Sequence, residues 1–265
     1  MSTVIAGCTA TALYLITATR VLRTSKAGKP SFRILSITGL IASMALISHA
    51  TTIFSKAIKA HGVSLDVYTT ASTIAWLMSG LVLIGGKRQS LAALSLVVFP
   101  FSGILVALSL FFSADLLISE TIGIRIHVAL SLLAYSLFSI AALQSAYIIV
   151  AEYKLKNHTP IMKILPPLAL MESLLFQITS VAFFLLTVGL IVGLSVVEDV
   201  FNQHLSHKIV FSVLAWLTFL SLLFGRYFKG WRGKKATYLV MSGSICLAIG
   251  FLGSKFVLEV LLART

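Results

Sequence analysis

Apolar residues run along this chain in blocks of about twenty, separated by short polar stretches rich in lysine and arginine. A helix rises ~1.5 Å per residue, so ~20 apolar residues match a hydrocarbon core of ~30 Å. Eight blocks reach that length, roughly 3–19, 34–56, 67–86, 91–113, 126–150, 173–196, 209–228 and 236–258. Most connections between them are short, which predicts antiparallel packing of sequence neighbours. Three are longer, at 20–33, 114–125 and 151–172. No stretch fits a soluble domain, and no internal repeat or low-complexity tract is present. The pattern predicts an all-α fold, a polytopic membrane bundle of about eight transmembrane helices forming a single domain over 1–265.

Composition agrees. The chain is 58% hydrophobic and 11% charged, with mean hydropathy +1.01. A soluble domain carries about 25% charged residues. The net charge of +13 does not point to nucleic acid, because nearly all the charges lie between apolar blocks. There they act as topology signals. The odd-numbered loops hold fifteen lysines and arginines and the even-numbered loops four. Asp66, Asp115, Glu120, Glu198 and Asp199 all fall in even loops. With eight helices this places the odd loops in the cytoplasm and both termini on the outer (periplasmic) side. The N-terminus lacks a basic leader region and reads as a retained first helix. The reading is a multi-pass protein of the bacterial inner (plasma) membrane, in contact with lipid.

The histidines then sort by side. His158 falls in a cytoplasmic loop, and the other five fall outward. His127 opens helix 5. His204 and His207 precede helix 7, and His61 follows helix 2. His49 lies inside helix 2, about 15 residues from its cytoplasmic start, or ~22 Å up. An ionisable group at that depth is costly and faces the bundle or a cavity. His127, Ser131 and Tyr135 are spaced i, i+4, i+8 and share one stripe. Such a stripe suits a cavity wall and suits interhelical hydrogen bonding equally. Neutral imidazole ligates haem iron, zinc and copper. Cys8 and Cys246 form no C-x-x-C or C-x-x-C-H motif and read as buried free thiols.

Three blocks carry a resemblance. "HVALSLLAYSLFSIAALQSAYIIVAEYKLK", "LPPLALMESLLFQITSVAFFLLTVGLIVG" and "HKIVFSVLAWLTFLSLLFGRYFKGWRGKK", in this order and spacing, resemble the cytochrome c assembly family of CcsA, CcmC and HemX-type proteins. The match is closest to the small bacterial inner-membrane branch, the YpjD-like proteins. It covers roughly 60–265. It implies a haem-handling membrane protein, presenting non-covalent haem b between outer-face histidines. His127 matches the histidine opening the family's "H…SY" helix, and Tyr135 matches its tyrosine. His61, with Asp66 and Tyr68, resembles "H…D-x-Y". Glu172 matches the acidic residue after "LPPL", and Thr187, Gly189 and Gly193 match "LT-x-G-x-x-x-G". Trp216 matches the tryptophan of helix 7. The resemblance implies His127 and one of His49, His61 or His207 as axial ligands, with Tyr135 and Trp216 nearby.

The chain also departs from the pattern. "SVVEDVFNQHLSHK" contains no tryptophan, Phe224 stands where the family has a histidine, and Gln177 replaces an arginine. These departures favour a second reading, a scaffold or regulatory subunit of an assembly or transport complex that has lost haem. A third reading is a small metal-cation transporter using the outer histidines with Asp66, Glu198 and Asp199. Gly189 and Gly193 permit close helix approach. Glu172 is placed in the first turn of helix 6, at the positive helix end, and "GWRGKK" reads as an interfacial anchor that also suits anionic lipid. No Walker A, G-x-S-x-G or H-E-x-x-H motif is present, so the chain is expected not to be an enzyme.

Overall fold

The computed structural model describes residues 2–27, 34–59, 62–64, 66–112, 117–118, 121–157, 166–196 and 206–253. Among these are eight helices: α1 (Ser2–Ala27), α2 (Ile37–Ala57), α3 (Val67–Ile84), α4 (Gln89–Phe111), α5 (Ile122–Lys156), α6 (Leu168–Val196), α7 (Ser206–Lys229) and α8 (Gly233–Ala248). The first seven are long and apolar enough to cross a membrane. The eighth has 16 residues and runs into a π-helical turn, Ile249–Gly253, so the span expected at 236–258 is described only to its residue 253. Among the described residues the predicted spans are helical except at their ends, as at 34–36 and 112. One small antiparallel sheet lies in connections expected to be loops: β1 (Ile58–Lys59), β2 (Gly62–Ser64) and β3 (Leu117–Ile118), with Ile58 opposite Val63 and Val63 opposite Ile118. The sheet pairs backbone groups of the connections, which no helix satisfies.

The helices sort into two compact units. Met1–Ile118 with Lys154–Leu170 form one, and Ser119–Tyr153 with Met171–Thr265 the other.

In the first unit α1 lies along α4. Thr11 donates to the Gly103 carbonyl at 3.2 Å, and Tyr14 stacks on Phe99 with centroids 5.8 Å apart. A fully buried polar chain crosses all four helices. His49 Nε2 is 2.8 Å from Ser72 Oγ, and its Nδ1 is 3.1 Å from the Tyr14 hydroxyl. Tyr14 is bonded in turn to Ser79, and Ser79 to Ser102 at 2.8 Å. Ser102 donates to the carbonyl of Val98 at 2.8 Å. Both ring nitrogens of His49 are thus engaged by hydroxyls, each of which can donate or accept.

The helix ends of this unit are closed by side chains. Ser36 accepts from Gly39 N at 3.2 Å, capping α2. Asp66 caps α3, accepting from Thr69 N at 2.7 Å and Thr69 Oγ1 at 2.9 Å. Lys56 donates to the carbonyls of Ser109 and Phe112 at the end of α4, a cation on a negative helix terminus.

In the second unit Phe138 of α5 stacks on Phe219 of α7 at 3.9 Å. A Cβ on Gly243 of α8 would meet the Phe219 ring at 2.7 Å, so this glycine lets α8 close on α7. Gln144 donates to the Met171 carbonyl at 3.1 Å. Glu172 is the fifth residue of α6, and its carboxylate accepts from Gly233 N, the first residue of α8, at 3.0 Å. The expected pairing of an acid with a positive helix end is present, but the helix is α8 rather than α6. The thiols differ from expectation. Cys8 is exposed on α1 and Cys246 is half-buried, both free. A membrane helix can turn such a weakly polar side chain outward without penalty.

His49→Ala removes two interhelical bonds and leaves a cavity. At about 0.6–1.7 kcal/mol per bond plus the cavity cost, the expected loss is about 3 kcal/mol. Thermal unfolding in detergent should show Tm lowered by roughly 6–12 °C. His49→Gln, which keeps one donor and one acceptor, should lose less. An unchanged Tm in His49→Ala would refute the bracing role of the chain.

Candidate functional site

The second unit holds the histidine with the most distinctive setting. α5 and α6 run antiparallel, and small residues mark their crossing. A Cβ on Gly123 would stand 2.6 Å from Val196, and one on Gly193 would stand 2.6 Å from Cε1 and 2.7 Å from Nδ1 of His127. The Gly-x-x-x-Gly of α6 is thus a bay for an imidazole. His127, half-buried on the second turn of α5, places Nδ1 2.7 Å from the carbonyl oxygen of Gly189. The carbonyl accepts, so Nδ1 carries the proton, and in the neutral ring Nε2 carries the lone pair. Nε2 has no partner among the described residues. A histidine that ligates a metal characteristically donates its other N–H to a carbonyl or carboxylate, and His127 is arranged in that way.

Ser131 faces the same glycine: its Oγ would lie 3.8 Å from a Cβ on Gly189. Tyr135 sits one turn further along, hydrogen-bonded to Ser212 of α7 and stacked on Phe251 with centroids 4.9 Å apart. The stripe 127–131–135 is therefore a seam of interhelical contacts. Trp216 of α7 donates from Nε1 to Thr187 Oγ1 at 3.0 Å and stacks on Phe183 at 5.6 Å. Thr187 and Gly189 are two residues apart, ~200° around α6. Trp216 and His127 thus approach α6 from opposite sides.

The remaining candidates stand apart. His49 belongs to the first unit, with both ring nitrogens engaged by Tyr14 and Ser72. His207 lies in the first turn of α7, but its side chain lies outside the described residues, as do His61, His158, His204, Glu198 and Asp199 altogether. Asp66 is a helix cap. Among the described residues no three of His, Cys, Asp and Glu gather to hold a metal ion. Phe224 is exposed on α7 and packs on Phe228. Sequence reasoning missed the Gly189 carbonyl, Ser212, Phe251 and Tyr14. The Gly-x-x-x-Gly spacing opposite a helix carrying His127 was the available signal for the first.

Comparison with known proteins gives a consistent picture. The "Cytochrome C assembly protein" family model matches residues 37–262. The inner membrane protein YpjD of Escherichia coli (strain K12) is 28% identical over 225 residues, covering 83% of this chain and 86% of that protein. An uncharacterized 28.8 kDa protein of Azospirillum brasilense is 31% identical over 145 residues, about half of each chain. The cytochrome c biogenesis protein CcsA of Prochlorococcus marinus (strain MIT 9215) is 23% identical over 236 residues, covering 77% of this chain and 76% of that protein. No solved structure matches.

The His127 bay makes a direct prediction. In Gly193→Ala the new methyl meets the imidazole, and the Nδ1–Gly189 bond should lengthen or break. ¹⁵N-histidine NMR of the wild type should show a protonated Nδ1 and an unprotonated Nε2 for His127. The variant should show exchange between tautomers. Identical spectra would mean the glycine is not what seats the ring.

Proposed function

The chain belongs to the cytochrome c assembly protein family, and from that premise we propose that it binds haem non-covalently, with His127 Nε2 as the atom that would hold the haem iron. The supporting observation is the His127–Gly189 bond. It sets the tautomer of the neutral ring, orients the ring and leaves the Nε2 lone pair without a partner among the described residues. CcsA, a relative across most of the chain, is named for cytochrome c biogenesis, and YpjD for the inner membrane. We read this chain as a multi-pass protein of the bacterial inner membrane, with His127 toward the outer side by the distribution of loop cations. Bound haem supplies a redox-active iron. The protein's own part is to hold one coordination position by His127, to orient that ring by Gly189 and Gly193, and to seal the flanking helices through Tyr135–Ser212 and Trp216–Thr187. Within the same unit, His207 at the head of α7 is the candidate for a second position. His49 is already committed to its hydrogen-bond chain. The activity proposed is binding and handing on, with no bond made or broken on the ring.

The second reading is a scaffold subunit without haem. It is favoured by Phe224, exposed on α7 where a histidine is expected, and by a 195–208 segment without tryptophan.

An absorption spectrum of the purified protein, with and without added haem, separates the two. A Soret band with sharp reduced peaks is expected in the wild type. His127→Ala should lose at least tenfold in haem affinity, and His49→Gln, if folded, should keep it. A wild type that binds added haem no better than His127→Ala would leave the scaffold reading.

A further inference from the structure

We propose that the α7–α8 turn binds an anionic phospholipid, with its headgroup phosphate on the cations of the turn and its acyl chains along the exposed face of α7. The turn has a fixed shape. Gly230 and Gly233 are both left-handed, with φ of 62° and 57°, and between them stand Trp231 and Arg232. The N–H of Trp231 donates to the Gly225 carbonyl at 3.2 Å. Its indole lies so close to Gly225 that a Cβ there would be 2.2 Å from the ring. Lys235 sits over the same indole at 3.6 Å from the centroid. On the other side, Glu172 holds Gly233 N, and Glu152 lies near the same residue and near Lys234. Arg226 is used internally, over the Phe176 ring at 4.4 Å and within 3.4 Å of the Trp231 carbonyl.

The turn therefore costs little further ordering when a ligand arrives, and Lys229, Arg232, Lys234 and Lys235 are all exposed on it. Five cations in ten residues face two carboxylates, and one of those is already spent on a backbone N–H. This is a surface for an anion.

The neighbouring surface identifies which anion. Leu217, Leu220, Phe224 and Phe228 are spaced at helical intervals down one face of α7 and are all exposed. That apolar stripe runs into the cationic turn, with Tyr227 and Trp231 at the boundary. A small inorganic anion would use the charges and ignore the stripe. A soluble acidic peptide would leave the stripe uncovered. An anionic phospholipid matches both parts in order, polar head at the turn and hydrocarbon along the helix. Basic residues at a membrane surface attract such lipids, and interfacial aromatics sit at headgroup level.

Native mass spectrometry of the delipidated full chain in detergent tests this, titrating phosphatidylglycerol against phosphatidylcholine. The wild type should retain phosphatidylglycerol at concentrations at least tenfold below those needed for phosphatidylcholine. The variant Lys229→Gln/Arg232→Gln/Lys234→Gln should lose that preference, and Arg232→Gln alone should lose part of it. Arg23→Gln/Lys156→Gln, two exposed cations elsewhere, should keep it. Phe224→Ala/Phe228→Ala should weaken both lipids together. Equal binding of the two lipids by the wild type would overturn the proposal. So would an unchanged preference in both the triple and the single variant, or an equal loss in the control. Displacement of phosphatidylglycerol by millimolar inorganic phosphate would show a free-anion site and overturn the assignment to lipid.

Discussion

The hydrocarbon core of a membrane contains no water, so backbone polar groups must pair within the helices and a buried polar side chain gains by finding a partner in protein. That constraint organises the chain more than any single apolar contact does. Tyr14, His49, Ser72, Ser79 and Ser102 come from four different helices and are bonded to one another in a closed set. Trp216 meets Thr187, Tyr135 meets Ser212, and Gln144 meets a backbone carbonyl. Each bond brings two helices together at a fixed depth and rotation. Apolar side chains alone would allow them to slide, because lipid is as good a solvent for leucine as another helix is.

The same constraint gives His127 its character. Its ring is half satisfied. One nitrogen is paired with a backbone oxygen in a bay that only glycine leaves open, and the other has no described partner. His49 shows the alternative outcome, with two nitrogens and two hydroxyl partners and nothing left for a ligand. Two histidines in one membrane protein therefore have opposite capacities, and the difference lies in the neighbours. Serine and tyrosine complete one ring, and a Gly-x-x-x-Gly leaves the other unfinished.

The spans were legible in the sequence because length and hydropathy alone decide them. So was the importance of Gly189 and Gly193, since small residues at i, i+4 predict close approach whatever approaches. The three resembling blocks located His127, Tyr135, Trp216 and Thr187. What the sequence could not show was pairing. The His127–Ser131–Tyr135 spacing suited a cavity wall and a contact seam alike, and only the facing helices made it a seam. Trp216 and His127 read as neighbours, yet they meet opposite sides of α6. The Glu172 carboxylate was read against the positive end of its own helix, but the terminus it meets is 61 residues away. Long-range partners follow from helix rotation and register, which hydropathy does not record.

The buried chain from Ser72 to Ser102 has one further property. One of its members, His49, carries a contact to α1 on one ring nitrogen and a contact to α3 on the other. The imidazole ring holds those two nitrogens at an invariable spacing. It therefore serves as a gauge between α1 and α3, setting their separation as well as joining them, which a flexible side chain with the same donor and acceptor would not do.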